Sequence, residues 1–187
     1  MSLDHKITAV RTLLDTAQED YAPVTFACSF GAEDMVLTDL IARHYPSISM
    51  FTLDTGRLPE ETYSLMRQVA ERYGIRIPVF FPNSAVIEAY VAQNGPNGFY
   101  DSVELRKQCC HIRKVEPLKR ALSGKRDWIT GLRRDQAPTR KDLAEVEFDA
   151  DNGLHKFSPL LDWSLPEVWD YLKQFDVPYN LLHDKGY

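Results

Sequence analysis

Apolar residues recur at two spacings along the chain, and the alternation between these spacings predicts the fold class. The first twenty residues carry apolar side chains at helical spacing, at Leu3, Ile7, Val10, Leu13 and Leu14, which predicts an amphipathic helix. The run from Pro23 to Cys28 is short, apolar and rich in β-forming residues, as is typical of a buried strand. A helix followed by a buried strand is the unit from which parallel sheets are built.

The same alternation continues along the chain. The strand candidates are ISMFTL, RIPVFF and DWITGL, and the helical patterns are EDMVLTDLIARHY, PEETYSLMRQVAERY, SAVIEAYVAQ and the stretch Val103 to Leu122. Pro59 is predicted to open the third helix and Gly74 to end it. We therefore expect an α/β protein with a mainly parallel sheet and helices on both faces.

The last third of the chain departs from this alternation. The segments AEVEFD and LHKFSPL flank Asn152 and Gly153, which indicates a hairpin. Ser164 and Glu167 fit a capping box that starts a helix reaching about Phe175. No internal repeat or linker divides the sequence, so residues 1–187 are predicted to form one domain.

Composition narrows the class of protein. The 187 residues are 44% hydrophobic and 26% charged, which excludes disordered, collagenous and low-complexity chains. No apolar run approaches the roughly 18 residues of a membrane helix, and the charged N-terminus is unlike a signal peptide. Three cysteines without an export signal favour a reducing compartment, so we expect a cytoplasmic protein without a membrane partner.

The net charge is −5, but the charged residues are distributed unevenly along the chain. Between Arg106 and Lys141 there are twelve lysines and arginines against three acids, a net of +9, so the remainder carries −14. This pattern fits either an anion-binding segment or a solvated helix face. The segment has few aromatic residues for base stacking and lies in an acidic protein, so we expect no nucleic-acid partner.

Ligands of open parallel sheets bind beyond the carboxyl ends of the strands, and three candidate loops lie there. The first consists of Ser29, Phe30, Gly31, Ala32, Glu33 and Asp34. Exposed N–H groups at a strand-to-helix turn can hold one phosphate, although the same pattern also fits a plain turn. The second loop, Asp54, Thr55 and Gly56, fits either a ligand contact or a tight turn closed by an Asx bond.

The third loop begins at Gly131 and carries Arg133, Arg134 and Arg140. Three guanidinium groups in one loop suit bidentate binding of phosphate or sulfate, with solvated surface arginines as the alternative. We expect the three loops to converge at one edge of the sheet.

Cys109 and Cys110 lie among basic residues that favour the thiolate, the form that binds iron. Adjacent helical residues point about 100° apart, so one metal centre shared by both requires a local distortion. Buried thiols and a vicinal disulfide remain alternatives. Cys28 fits a packing residue, and His111 a surface histidine rather than a ligand.

Five motifs in order, SFGAEDMVL, LDTGRLPEET, KQCCHIRKVEPL, GLRRDQAPTR and PLLDWSLPEVWDYL, closely resemble the assimilatory adenylylsulfate and phosphoadenylylsulfate reductases. The resemblance is closest to the iron-sulfur branch and covers nearly the whole chain. It implies an adenine-nucleotide hydrolase-like fold of the ATP-pyrophosphatase type. It also implies thioredoxin-dependent reduction of adenosine 5'-phosphosulfate (APS) to sulfite and AMP in sulfate assimilation, the route to cysteine.

The resemblance also implies roles for residues. The loop Ser29 to Asp34 matches the modified phosphate loop, Leu53 to Gly56 the adenosine-side motif, and the three arginines the anion-binding loop. Cys109 and Cys110 are implied to be two ligands of a [4Fe-4S] cluster, a group that needs four thiolates. Lys114 is implied to lie between this cluster and the sulfate of the substrate. The resemblance implies that the chain is a nucleotide-binding reductase domain, and we expect this domain to form a homo-oligomer.

Two features depart from the family pattern. Relatives continue into a tail with a Cys-x-x-Cys and a cysteine that attacks sulfur to give a thiosulfonate, and the 187 residues contain neither, so we expect a truncated form. Ala137 replaces the usual serine of the arginine loop. Three alternatives stay open, namely a reductase of the 3'-phosphorylated substrate (PAPS), an ATP-pyrophosphatase-type enzyme and a silent adenylate-binding module.

Overall fold

The computed structural model describes residues 2–137, 140 and 142–186. The helices are α1 (Leu3–Asp20), α2 (Ala32–His44), α3 (Glu60–Tyr73), α4 (Ser84–Asn94), α5 (Val103–Cys110), α6 (Glu116–Leu122) and α7 (Leu165–Gln174). The strands are β1 (Val24–Ala27), β2 (Ser49–Leu53), β3 (Val79–Phe80), β4 (Asp127–Ile129), β5 (Val146–Asp149) and β6 (Leu154–Phe157). Short 3-10 helices cover Gly98–Tyr100, Arg134–Gln136 and His183–Lys185.

The six strands form one sheet in the order β3-β2-β1-β4-β6-β5. Every neighbouring pair is parallel except β5 and β6, which are antiparallel. The predicted mainly parallel α/β fold is therefore confirmed. The strand predicted at RIPVFF shrinks to two residues, because Pro78 and Pro82 flank it and proline cannot donate a hydrogen bond to a neighbouring strand.

Side chains that alternate along the strands build a core on each face of the sheet. Phe26 of β1 and Ile129 of β4 face the larger core, which α1, α2, α3 and α7 cover. Ala27 of β1 and Trp128 of β4 point the other way and pack against α6. Helices therefore lie on both faces, as predicted, and parallel strands buried on both sides read as continuous apolar runs.

Local signals fix the ends of several elements. Gly74 ends α3 in the left-handed conformation, with φ of 67°, whereas Pro59 is the N-cap and the helix begins one residue later. The predicted hairpin forms between β5 and β6. The capping box of Ser164 and Glu167 is present at the start of α7. The predictions for Gly74, the hairpin and the capping box are therefore confirmed, whereas Pro59 lies one residue before its predicted place in the first turn.

The helical stretch predicted over Val103 to Leu122 contains an irregularity. Between α5 and α6 the backbone forms a π-helical turn over His111–Val115, which widens the helix for one turn. The turn directly follows Cys109 and Cys110, which are the last two residues of α5. Cys109 lies in a small apolar cluster with Tyr90 and Ile112.

Candidate active site

The carboxyl ends of β1 and β2 open into a cavity of about 400 Å³. Its wall includes Cys28 and Ser29 after β1, Leu53 and Thr55 at the end of β2, and Lys114 from the π-helical turn. The loop after β4 reaches the same region, because Gly131 lies directly against the carboxylate of Asp34. The three loops therefore lie together at one edge of the sheet, as expected for loops that follow parallel strands.

In the loop after β1, the carboxylate of Asp34 accepts the hydrogen bonds that Ser29 donates. Both the backbone N–H and the hydroxyl of Ser29 donate to Asp34 Oδ2, at 2.5 and 2.6 Å. Phe30, which is buried, adopts a positive φ of 62° that turns the chain back toward the helix. Gly31 is the N-cap of α2, and Ala32 is its first residue. The loop is thus closed by its own anion rather than left open as a phosphate cradle.

Burial raises the pKa of the Asp34 carboxyl to about 6, against the hydrogen bonds from Ser29, which lower it. The folded protein therefore binds a proton between about pH 4 and 6 that the unfolded chain has already released. Stability is expected to fall as pH rises through this window, by up to about 3 kcal/mol for a pKa difference of about two. Urea unfolding of the protein and of Asp34→Asn from pH 4.5 to 7 measures the effect. A stability difference that stays constant with pH would contradict it.

The turn after β2 is closed by an Asx bond, in which the Gly56 N–H donates to Asp54 Oδ1 at 2.7 Å. Tyr63 donates its hydroxyl proton to the other oxygen of Asp54, also at 2.7 Å. The guanidinium of Arg113 donates to the carbonyl of Thr55, and a Cβ on Gly56 would lie 3.3 Å from Arg113 Nη1. The turn is therefore held from both sides, and Leu53 and Thr55 are the members that face the cavity.

Two arginines of the loop after β4 bind acids of other elements. Arg133 is buried and donates from Nε to Glu33 Oε1 at 2.8 Å. Arg134 pairs with Asp162 at 2.8 Å and also donates to the carbonyl of Leu143.

The third arginine of this loop stays within the loop. Arg140 donates to the side-chain oxygen of Gln136. Pro138, Thr139 and Lys141, which belong to the same loop, lie outside the described residues. In this structure the three arginines donate hydrogen bonds to other groups of the protein. Their role in binding substrate stays a prediction.

A second cavity, of about 370 Å³, adjoins the first. Cys109 and Cys110 line it together with Arg106 and Arg113. Three residues, Thr55, Arg57 and Lys114, line both cavities and form the wall between them. A cationic side chain at this wall can act on an anion held in the first cavity and on thiolates in the second.

The three cysteines have different surroundings. Cys109 is buried, and Cys110 is exposed. Cys28 is buried beside the Thr38 hydroxyl, at 3.5 Å, and burial raises the pKa of its thiol to about 12, which fits the predicted packing role. His111 is exposed, as predicted. Within residues 2–137, 140 and 142–186, no group of three or more potential metal ligands is brought together.

Residues 23–187 match a protein-family model, which is described as the phosphoadenosine phosphosulfate reductase domain. The chain belongs to the adenylylsulfate and phosphoadenylylsulfate reductase family. It is therefore an oxidoreductase acting on a sulfur group, and the expectation from its motifs is confirmed.

Relatives in the family align over the whole chain. Adenosine 5'-phosphosulfate reductase of Allochromatium vinosum is 49% identical over 186 residues, which cover 100% of this chain and 73% of that protein. The protein of the same name from Burkholderia cepacia is 50% identical and is matched over 97% of this chain and 73% of its own length.

Solved structures place the fold. Phosphoadenylyl-sulfate (PAPS) reductase from Candida auris, solved as a phosphate complex, has a TM-score of 0.80 and 27% identity, over 100% of this chain and 93% of that one. NH3-dependent NAD synthetase from Campylobacter jejuni has a TM-score of 0.66 at 12% identity, over 100% of this chain and 79% of that one. The predicted adenine-nucleotide hydrolase-like fold is confirmed for this reductase.

Sequence reasoning missed several residues of the candidate site. Arg57, Phe99, Arg106 and Arg113 all line the cysteine cavity. Arg57 directly follows the predicted motif Asp54 to Gly56, and Arg106 and Arg113 lie in the basic segment, so position and charge were the available signals.

Among the helices that the structure describes, none is both long and apolar enough to cross a membrane.

Proposed function

We propose that the protein reduces APS to sulfite and AMP, with thioredoxin as the electron donor. The observation that carries the proposal is the wall of Thr55, Arg57 and Lys114, which joins a cavity at the strand ends to a cavity lined by two cysteines. The names of relatives 42–50% identical support APS as the substrate. Reduction of sulfur from S(VI) to S(IV) takes two electrons, which two thiols supply as they form a disulfide.

The first cavity is proposed to hold the nucleotide. Its wall is largely apolar at Phe51 and Leu53, as suits a purine ring, and polar groups of Ser29 and Thr55 lie beside it. Leu53 and Thr55 are proposed to contact the adenosine, and Asp54 and Gly56 to hold the turn that presents them. Because Asp34 already occupies the donors of Ser29, the loop is suited to lie beside a single phosphate rather than to enclose a pyrophosphate.

The sulfate-phosphate anhydride carries two negative charges, and its leaving group becomes more negative as the S–O bond breaks. Lys114 is proposed to be the catalytic cation that stabilises this charge, since its side chain lines both cavities. Arg133 is proposed to act through Glu33, by fixing the start of α2 against the loop after β4. Arg134 and Arg140, which bind Asp162 and Gln136, are proposed to add positive charge to this loop.

The nucleophile of the reaction is a thiolate that attacks sulfur and displaces AMP. A second thiolate then attacks the sulfur of the cysteine and releases sulfite as a disulfide forms. Cys28 does not fit the first role, because burial raises the pKa of its thiol to about 12. We propose that the attacking thiolate comes from protein outside these 187 residues.

Cys109 and Cys110 fit two of the four thiolate positions of a [4Fe-4S] cluster. Both line the second cavity beside Arg106, Arg113 and Lys114, and the π-helical turn that directly follows them is proposed to supply the distortion that a shared centre requires. When bound, the cluster would place a negatively charged iron-sulfur group next to Lys114. The other two ligands are proposed to come from protein outside the described residues.

The decisive experiment uses protein produced anaerobically from its complete natural reading frame. Iron, acid-labile sulfide and sulfite release with reduced thioredoxin are measured together. Sulfite formed from APS supports the proposal. No sulfite formed from APS or PAPS would overturn it and would favour a silent adenylate-binding module.

Replacing either Cys109 or Cys110 is expected to abolish stable iron binding. Cys109→Ser and Cys110→Ser each remove one thiolate, and a serine hydroxyl is a poor substitute for it. Cys28→Ser is the matched control, because this cysteine faces the core beside Thr38 and should leave the iron content unchanged. Iron and sulfide analysis checks the result. Full iron content in both variants would contradict the assignment.

PAPS is the second candidate substrate, favoured by the TM-score of 0.80 to the PAPS reductase of Candida auris. Turnover of APS and PAPS by the same protein separates the two, and a strong preference for PAPS would overturn APS. An ATP-pyrophosphatase-type activity fits less well, because Asp34 places a negative charge where a pyrophosphate loop needs free donors. The single domain, the cytoplasmic location and the homo-oligomeric state stay predictions.

A further inference from the structure

Arg57 is the one member of the wall between the two cavities that the proposed function leaves without a role. Thr55 contributes to the nucleotide side, and Lys114 is the proposed catalytic cation. Arg57 directly follows the Asx turn of Asp54 and Gly56, and its side chain lines both cavities.

Three contacts hold the guanidinium of Arg57, and all three are with the connection between α4 and α5. Nη1 donates to the carbonyl of Pro96 at 2.9 Å, and Nη2 donates to Asn97 Oδ1 at 3.0 Å. The guanidinium carbon lies 4.9 Å from the centre of the Phe99 ring. These partners are uncharged, and the forked guanidinium links two segments about forty residues apart.

The connection between α4 and α5 leads to the cysteines through side-chain packing. Phe99 packs against the small cluster of Tyr90, Cys109 and Ile112. Gly98 leaves little slack in this connection, because a Cβ there would lie 2.8 Å from the Cβ of Asn94. A displacement at Asn97 or Phe99 is therefore expected to move the start of α5.

We propose that Arg57 is a positioning residue, which clamps the loop after β2 to the connection before α5 and fixes the cysteine helix relative to the nucleotide cavity. The inference deepens the proposed function and rests on it. Arg57 acts through Phe99 and the backbone of the connection, whereas Lys114 is the proposed cation at the reacting group.

The test compares Arg57→Ala, Arg57→Lys and Asn97→Ala with the control Arg67→Ala. Arg67 belongs to an exposed pair with Glu71 on α3, away from both cavities, and such pairs contribute little to stability. Hydrogen exchange of residues 97–110 reports on the clamp, and binding of AMP reports on the nucleotide cavity. Sulfite release gives kcat and KM for protein from the complete reading frame.

For Arg57→Ala we expect exchange of residues 97–110 to rise about tenfold, as loss of charged hydrogen bonds implies. We expect kcat to fall by a similar factor, while the Kd for AMP changes by less than about threefold. Arg57→Lys should restore neither exchange nor kcat, because one ammonium group cannot reproduce the fork. Asn97→Ala removes one anchor and should give a smaller increase in exchange.

Two results would overturn the clamp. One is unchanged exchange of residues 97–110 in Arg57→Ala and Asn97→Ala. The other is a Kd for AMP that rises more than about tenfold in Arg57→Ala and recovers in Arg57→Lys, since this marks a substrate-binding charge. Absence of sulfite release from the unaltered protein counts against the proposed function instead, and the exchange measurement still decides the clamp.

Discussion

Gly131→Ala is expected to weaken the protein by about 3 kcal/mol and to reduce its affinity for AMP more than tenfold. A Cβ at this position would lie 2.1 Å from Asp34 Oδ1 and 3.2 Å from the Cβ of Glu33. The carboxylate cannot swing away freely, because it is buried and accepts two hydrogen bonds from Ser29. The methyl group must therefore separate the loops after β1 and β4, or break the bonds that close the first loop.

Urea unfolding and calorimetric titration with AMP measure the two effects. Gly31→Ala is the matched comparison for stability, because its Cβ would have ordinary contacts, at 3.5 Å from Ser29 Oγ, and its φ is −72°. Loss of the preferred N-cap residue is expected to cost less than about 1 kcal/mol there. Equal losses in stability for the two variants would show that crowding against Asp34 is not the cause.

The convergence of the three candidate loops followed from the sequence because it depends on topology. Once strands are assigned to a parallel sheet, their carboxyl ends share one edge, and the residues after β1, β2 and β4 are brought together. The turn residues Asn152 and Gly153 also located the hairpin of β5 and β6, and the spacing of Ser164 and Glu167 located the capping box. These features depend on neighbours in sequence or on a general rule of the fold.

The partners of the charged residues did not follow from the sequence. Arg133 is paired with Glu33, one hundred residues earlier, and Arg134 with Asp162. The net charge of +9 between Arg106 and Lys141 therefore overstates the free positive charge, since acids of other elements offset part of it. Contacts at such separations are set by packing, which leaves no local pattern.

The role of Asp34 shows the same limit. Its place in SFGAED suggested a loop that can hold one phosphate or a plain turn, but not that its carboxylate would accept the hydrogen bonds of Ser29 and lie against Gly131. Helix geometry indicated only that one metal centre shared by Cys109 and Cys110 would require a local distortion. The π-helical turn over His111–Val115, which follows the two cysteines, was not predicted and required the structure.

Lys114→Ala is expected to lower kcat for APS reduction by about a hundredfold to a thousandfold, the loss typical of removing one preorganised electrostatic group. Lys114 lines both cavities, so its charge lies next to the bond between sulfur and the phosphate oxygen in the proposed arrangement. That bond gains negative charge on its oxygen only as it breaks. The effect should therefore fall on kcat, with a change of less than about threefold in the Kd for AMP, which lacks the sulfonate.

Lys119→Ala is the matched control, because this lysine is exposed on α6 and lines neither cavity. Its kcat should change by less than about twofold, as is usual for surface substitutions. Lys114→Arg keeps the charge but changes its geometry, and partial recovery of kcat is expected. A rise in KM for APS with unchanged kcat in Lys114→Ala would instead mean that the lysine binds substrate and transition state equally, which contradicts a catalytic role.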